Sequence, residues 1–146
     1  MLRLADAWTW DFWLADDGRS YHLYFLKAPR HIGHPDERHW NVSIGHAVSP
    51  NLADWTVVPD AIAPSDGPAF DHIATWTGSV VRGRDGNWFM FYTGVGSQER
   101  ALKQRIGLAT SADPTQKAHG TSRPRRHRRS SLTTQHRRSP NGTDNS

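Results

Sequence analysis

An all-β fold is expected of these 146 residues, built as consecutive blades of a β-propeller. Three observations predict it. Aromatic segments alternate with Asp-Gly turns, the pieces recur in the same order, and no stretch of eleven residues carries a helical period. The elements follow in order. Trp8 to Ala15 is an aromatic strand that turns at Asp17-Gly18 into Tyr21-His22-Leu23-Tyr24-Phe25-Leu26. After a polar loop comes Ser43-Ile44-Gly45-His46-Ala47-Val48-Ser49. Trp76-Thr77-Gly78-Ser79-Val80-Val81-Arg82 and Trp88-Phe89-Met90-Phe91-Tyr92-Thr93 form a second hairpin across Asp85-Gly86. Arg105-Ile106-Gly107-Leu108-Ala109-Thr110-Ser111 closes the series.

The order is therefore Asp-Gly turn, aromatic strand, irregular loop, Ile-Gly-x-Ala-x-Ser strand, polar turn. It runs once over 17–55 and again from 85, with the Asp-Gly turns 68 residues apart and the Ile-Gly pairs 62. Several antiparallel strands per repeat suggest a propeller blade. A blade needs neighbours to bury its faces, so two repeats are read as the opening, incomplete part of such a ring.

The charge divides the chain. Residues 1–117 carry 11 Lys+Arg against 13 Asp+Glu. Residues 118–146 carry seven Arg, one acid (Asp144), one large aliphatic residue (Leu132) and no aromatic. Such a tail cannot offset the entropy of ordering its backbone and is expected to be disordered. Three readings of it stand open. It is a basic arm for nucleic acid through Arg125-Arg126-His127-Arg128-Arg129, a solvated extension, or sequence foreign to the fold, such as a frameshift product. The abrupt change after a strand pattern favours the last and disfavours nucleic acid.

Composition excludes several classes. With no cysteine there is no disulfide scaffold, thiolate metal site or thiol nucleophile. No apolar run approaches the ~20 residues of a membrane span, and the N-terminus lacks a signal-like apolar stretch. A cytoplasmic location is the default expectation.

Asp11 stands out, a carboxylate within Trp8-Thr9-Trp10-Asp11-Phe12-Trp13. An isolated Asp at a strand end commonly caps a turn. At the axis of a propeller, among rings that stack on sugar faces, it would instead be a site carboxylate. The histidines His31, His34 and His39 share one polar loop with Asp36 and Glu37, a pattern explained by loop polarity rather than metal ligation. His46 could face the core or a pocket. No serine sits in a nucleophile elbow and no glycine loop cradles phosphate, so neither metal nor cofactor is expected.

Taken together, these segments resemble the N-terminal part of glycoside hydrolase family 32, the β-fructosidases. They are Trp10-Asp11, Tyr21 to Phe25, Ile44 to Ser49 with Leu52-Ala53-Asp54-Trp55, Trp76 to Val81, Phe91-Tyr92-Thr93-Gly94 and Gln104 to Ser111. Their order over residues 6–113 carries the likeness. The resemblance implies a five-bladed β-propeller with its site at the axis, of which 1–117 would form the first two, incomplete blades. It implies that Asp11 is the nucleophile. Trp10 and Phe12-Trp13 flank it where the family has Asn and Pro-Asn-Gly. It also implies that Trp10, Trp40, Trp76, Thr77 and Ser79 line the sugar pocket and that Gln104 is structural. The implied partner is an oligo- or polysaccharide, a fructoside or related glycan.

Two family motifs have no counterpart here. One is Arg-Asp-Pro, whose Asp holds sugar hydroxyls in the transition state. The other is Glu-Cys, whose Glu is the acid/base. The only glutamates, Glu37 and Glu99, fit neither. A retaining glycosidase needs two carboxyls roughly 5–5.5 Å apart. The chain is therefore expected to be truncated and inactive alone, or to persist as a non-catalytic carbohydrate-binding fragment.

Overall fold

The computed structural model describes residues 2–96, 103–115 and 119–120. They form two four-stranded antiparallel sheets, each a simple meander. The first contains β1 (Ala7–Asp16), β2 (Tyr21–Pro29), β3 (Ser43–Ser49) and β4 (Thr56–Ile62). The second contains β5 (Ala74–Arg82), β6 (Trp88–Val95), β7 (Gln104–Ser111) and β8 (His119–Gly120). All six strand segments read from the sequence are present.

Local chemistry explains the turns. Between β1 and β2, Asp16 Oδ1 accepts from Gly18 N, and Asp17 Oδ1 accepts from Arg19 N and Ser20 N, each at 2.7 Å. Gly18 itself takes φ 87, a conformation that side chains resist. Gly86 at φ 84 serves the β5–β6 turn in the same way, closed by Gly83 N donating to Asn87 O at 2.7 Å. The serines that end the Ile-Gly-x-Ala-x-Ser strands start the next turns. Ser49 Oγ accepts from Asn51 N and Ser111 Oγ from Asp113 N, both at 3.2 Å. These are the small side-chain turns expected of Ser, Asn and Asp.

Four features depart from the reading of the sequence. β4 was not anticipated, because Pro59 interrupts its apolar residues; it is an edge strand, where a missing N–H is tolerated. The polar loop folds into two short 3₁₀ turns, Arg30–Ile32 and Pro35–Trp40. Each repeat also begins one strand before its Asp-Gly turn, at β1 and β5. His119–Gly120 pairs with β7 within the segment assigned to the basic tail. The rest of that tail, including Arg125 to Arg129, lies outside the described residues, as does Glu99.

The core lies between the sheets. Tyr24, Leu26 and Ile44 of the first meet Met90, Tyr92 and Ala109 of the second, with Trp13, Phe70 and Val80 packed alongside. Apolar burial of this kind contributes roughly 25 cal/mol per Å². Both sheets also lay an aromatic ring across a glycine. Phe25 pairs with Gly45, and Tyr92 pairs with Gly107. A Cβ at Gly45 would come within 2.5 Å of the Phe25 ring, and one at Gly107 within 2.6 Å of the Tyr92 ring.

Candidate active site

Each sheet begins with a bulged strand, and the two bulges are equivalent. In β1 the register shifts between Trp10 and Phe12, so Asp11 is the extra residue and Phe12 faces Phe25. In β5 it shifts between Trp76 and Gly78, so Thr77 is extra and Gly78 faces Tyr92. A bulge leaves one residue out of the ladder and re-aims its side chain. Asp11 sits at φ 38, a left-handed conformation that costs a non-glycine residue about 1–2 kcal/mol. Gly78 is required at its own bulge, because a Cβ there would collide with the Phe91 carbonyl oxygen.

The two re-aimed side chains meet. Thr77 Oγ1 donates to Asp11 Oδ2 at 2.8 Å, and both residues are exposed. This bond crosses from one sheet to the other. A hydroxyl donating to a carboxylate fixes its orientation.

Tryptophans stand beside this pair. Trp76 precedes Thr77. Its Nε1 donates to His39 O at 2.9 Å, and its ring lies 6.1 Å from that of Trp40 at 50°. Trp40 ends the Pro35–Trp40 turn and is 41% exposed. That turn starts at His34, whose Nδ1 accepts from Asp36 N at 3.3 Å, with Pro35 pre-setting the first φ. Trp10 packs against the same turn. The Arg38 guanidinium lies 5.5 Å over its ring, and His39 meets its edge at 5.7 Å. The turn is thus clamped between β1 and β5, which is how Trp40 reaches Trp76.

Asp11, Thr77, Trp76 and Trp40 are therefore brought together, with Trp10 buttressing the turn behind them. Ser79 lies apart. It faces Phe91 across β6, on the exposed face of the second sheet. The sequence reading takes His39 only as a polar loop residue and passes over Arg38. Nothing in a run of polar loop residues announces that one lends a carbonyl to Trp76 and the other a cation to Trp10. His34 and His39 are occupied in these structural contacts.

His46 faces the core. Its Nε2 lies 3.0 Å from His22 Nδ1, and His22 Nε2 lies 3.2 Å from Asp17 Oδ2. Burial, then the neighbouring His22, pushes His46 down to about 4. For Asp17, desolvation opposes ionisation. The backbone N–H groups of Ser20 and Arg19 and the His22 ring outweigh it and hold the carboxyl at about 2. His22 and His46 are fully enclosed, so this chain is a structural strut apart from the exposed site. A second buried pair, Tyr92 Oη donating to Asp71 Oδ2 at 2.6 Å, anchors β6. Burial, then Asp71, raises the Tyr92 phenol.

An exposed carboxylate beside tryptophan faces suits a carbohydrate, whose C–H faces stack on rings while its hydroxyls bond polar groups. Comparison with known proteins points the same way. Residues 14–143 match the model of the glycosyl hydrolases family 32 N-terminal domain. The chain is 36% identical over 96 residues to beta-fructofuranosidase 1 of Zea mays, covering 64% of this chain and 13% of that protein. It is 37% identical over 97 residues to the 6(G)-fructosyltransferase of Asparagus officinalis, covering 65% and 14%. The chain thus spans about a seventh of the length of these curated relatives. Among solved structures it resembles fructan 1-exohydrolase IIa from Cichorium intybus, with TM-score 0.64 and 23% identity over 82% of this chain and 22% of that one. It also resembles fructofuranosidase from Schwanniomyces occidentalis complexed with fructose, with TM-score 0.65 and 20% identity over 82% and 24%. The fold is accordingly that of the first blades of a five-bladed β-propeller.

Proposed function

The chain belongs to glycosyl hydrolase family 32, and we propose that it carries the nucleophile-bearing part of a fructoside-processing site. Asp11 is the group that attacks the anomeric carbon. Thr77 holds its carboxylate in line, while Trp40 and Trp76 offer stacking surfaces for the sugar. Trp10 supports this wall from behind through Arg38 and His39. Ser79 joins the substrate contacts only for a sugar long enough to reach the outer face of the second sheet.

The observation that carries this reading is the 2.8 Å bond between Asp11 and Thr77, the extra residues of two equivalent bulges. The matched family segment starts three residues past Asp11, so the role of Asp11 rests on this geometry and on its place before the Tyr21 strand. The names of the relatives, beta-fructofuranosidase and fructosyltransferase, support a fructoside as the sugar.

The 146-residue chain holds neither an Arg-Asp-Pro nor a Glu-Cys motif. Without a general acid, a sugar leaving group departs about 10²–10⁴ times more slowly. The chain alone is therefore expected to bind without turnover. The test is titration of the purified chain with fructo-oligosaccharide, followed by tryptophan fluorescence, beside an assay for release of fructose from sucrose and levan. Binding should weaken about tenfold in Trp40→Ala and fall in Asp11→Asn, with no fructose released. Release of fructose would overturn the claim of inactivity. Binding indifferent to both substitutions would overturn the site.

A further inference from the structure

The Asp11–Thr77 bond joins two exposed groups on different sheets. One hydrogen bond between water-exposed groups stabilises too little to set the spacing of two sheets. Something else must bring the two bulges to bonding distance. The residues that precede the bulges are equivalent. Trp10, facing Leu26, is the last residue in register before Asp11, and Trp76, facing Thr93, is the last before Thr77.

A single residue grips both tryptophans. The His39 ring meets that of Trp10 at 5.7 Å between centroids and 75° between planes. The His39 carbonyl oxygen accepts from Trp76 Nε1 at 2.9 Å. Ring and carbonyl belong to one residue of the Pro35–Trp40 turn, so the two contacts cannot move independently. The end of that turn is itself held. Asn41 Nδ2 donates to Glu37 O at 3.0 Å and Asn41 N to Arg38 O at 3.3 Å. The next residue fastens the segment to β5 a second time. Val42 O accepts from Thr75 N at 3.3 Å and from Thr75 Oγ1 at 3.4 Å, and Val42 and Thr75 are both fully buried. The segment 39–42 is thus tied twice to the start of β5, and through the His39 ring it reaches β1 just before Asp11.

We propose that His39 is the positioning residue of the Asp11 site. Holding Trp10 through its ring and Trp76 through its carbonyl, it sets the separation of the two bulges. That separation decides whether Thr77 reaches Asp11 and how Trp40 stands against Trp76. The role rests on the reading of Asp11, Trp40 and Trp76 as a sugar site. His39 acts through the backbone that carries these groups, and a misplacement of about 1 Å in a catalytic site costs on the order of 10²-fold. The imidazole serves here as a flat ring rather than as a base or a metal ligand. A phenyl ring can offer Trp10 the same edge, whereas alanine offers none.

The test compares the wild-type chain with His39→Ala and His39→Phe by two signals. The first needs no ligand: hydrogen exchange of the Trp76 indole N–H in ¹H–¹⁵N spectra, with the resonance assigned by its loss in Trp76→Phe. The second is affinity for fructo-oligosaccharide, followed by tryptophan fluorescence. Urea midpoints report global stability. In His39→Ala the indole N–H should exchange about tenfold faster and the sugar should bind about tenfold more weakly. The urea midpoint should stay at the wild-type value, because His39 is exposed. His39→Phe should restore both signals. Unchanged exchange in His39→Ala would overturn the grip on Trp76. Faster exchange with undiminished affinity would overturn the positioning role, as would a fall in urea midpoint that matches the loss of affinity. Equal losses in His39→Ala and His39→Phe would overturn the account of the ring. A wild-type chain that binds no sugar overturns the sugar reading and this role with it, and the exchange signal, which needs no sugar, tells that failure from the others.

Discussion

Ile44 and Ile106 occupy the same place in the two sheets. Each precedes a glycine that lies beneath an aromatic ring, and each opens an Ile-Gly-x-Ala-x-Ser strand. Ile44 is fully buried, whereas Ile106 is 79% exposed. The neighbouring positions divide likewise. Tyr24 and His46 are buried in the first sheet, while Phe91, which matches Tyr24, is exposed in the second. The face that one sheet turns to its neighbour is the face that the other turns outward. The same local pattern thus carries opposite energetic weight, because the weight comes from what lies across the sheet.

Substituting an acid at the two isoleucines should show this difference at its largest. Ile44→Asp places an uncompensated carboxylate between the sheets and should cost more than about 4 kcal/mol, enough to abolish the fold. Ile106→Asp should shift the stability of the dilute, monomeric chain by no more than about 0.5 kcal/mol. Urea denaturation at low protein concentration measures both, and equal losses would mean that the outer face of β7 is not open.

The histidine at His46 provides a second contrast, because β7 carries Leu108 at the matching register. The unfolded chain protonates this ring at an ordinary pKa near 6.5, the folded chain only at about 4. Between those values the unfolded state binds more protons, so stability rises with pH and is lost as pH falls from 6.5 towards 4. The slope is at most about 1.4 kcal/mol per pH unit. Asp17, held at about 2 against an ordinary 3.8, stabilises the fold above pH 3.8, and that contribution goes between 3.8 and 2. His46→Leu, which copies the second sheet, should flatten the upper window and leave the lower one. Urea midpoints taken across pH 7 to 4 would reveal it, and an unchanged slope would move the sensitivity to another group.

The smallest contrast concerns the two glycines. A methyl at Gly107 would press on a Tyr92 ring tied to Asp71 by a 2.6 Å bond, and on Phe70 at 2.7 Å. A methyl at Gly45 would press on Phe25, whose cross-strand neighbour on that face is the exposed Phe12. Gly107→Ala should cost about 1–3 kcal/mol, and Gly45→Ala less, since the Phe25 ring can lift. Thermal or urea midpoints rank the two, and the reverse order would show that Phe25 is the more tightly held ring.

Much of the fold was legible residue by residue. Asp17-Gly18 and Asp85-Gly86 mark the hairpins because few other residues make those turns, and Ser49 and Ser111 mark strand ends because their hydroxyls start the next one. β4 escaped because Pro59 breaks the pattern that edge strands are free to break. At the site, Asp11 and Thr77 were both legible as candidates, but their bond was not. Sixty-six residues separate them, and neither bulge has a sequence signal of its own. The clamp of Trp10, Trp40 and Trp76 about the 35–40 turn was equally hidden, since it depends on a backbone carbonyl and on ring packing rather than on side-chain type.

The strands, their turns, the repeat and the family could be read from the residue order, because each depends on residues close in the chain: β-propensity, φ preferences and short side-chain bonds to the backbone. Which face of each sheet is core, which carboxylate meets which hydroxyl, and which histidine is buried are set by the packing of the two sheets. Those properties belong to pairs of surfaces, and a surface's partner is set by how the sheets stack in space.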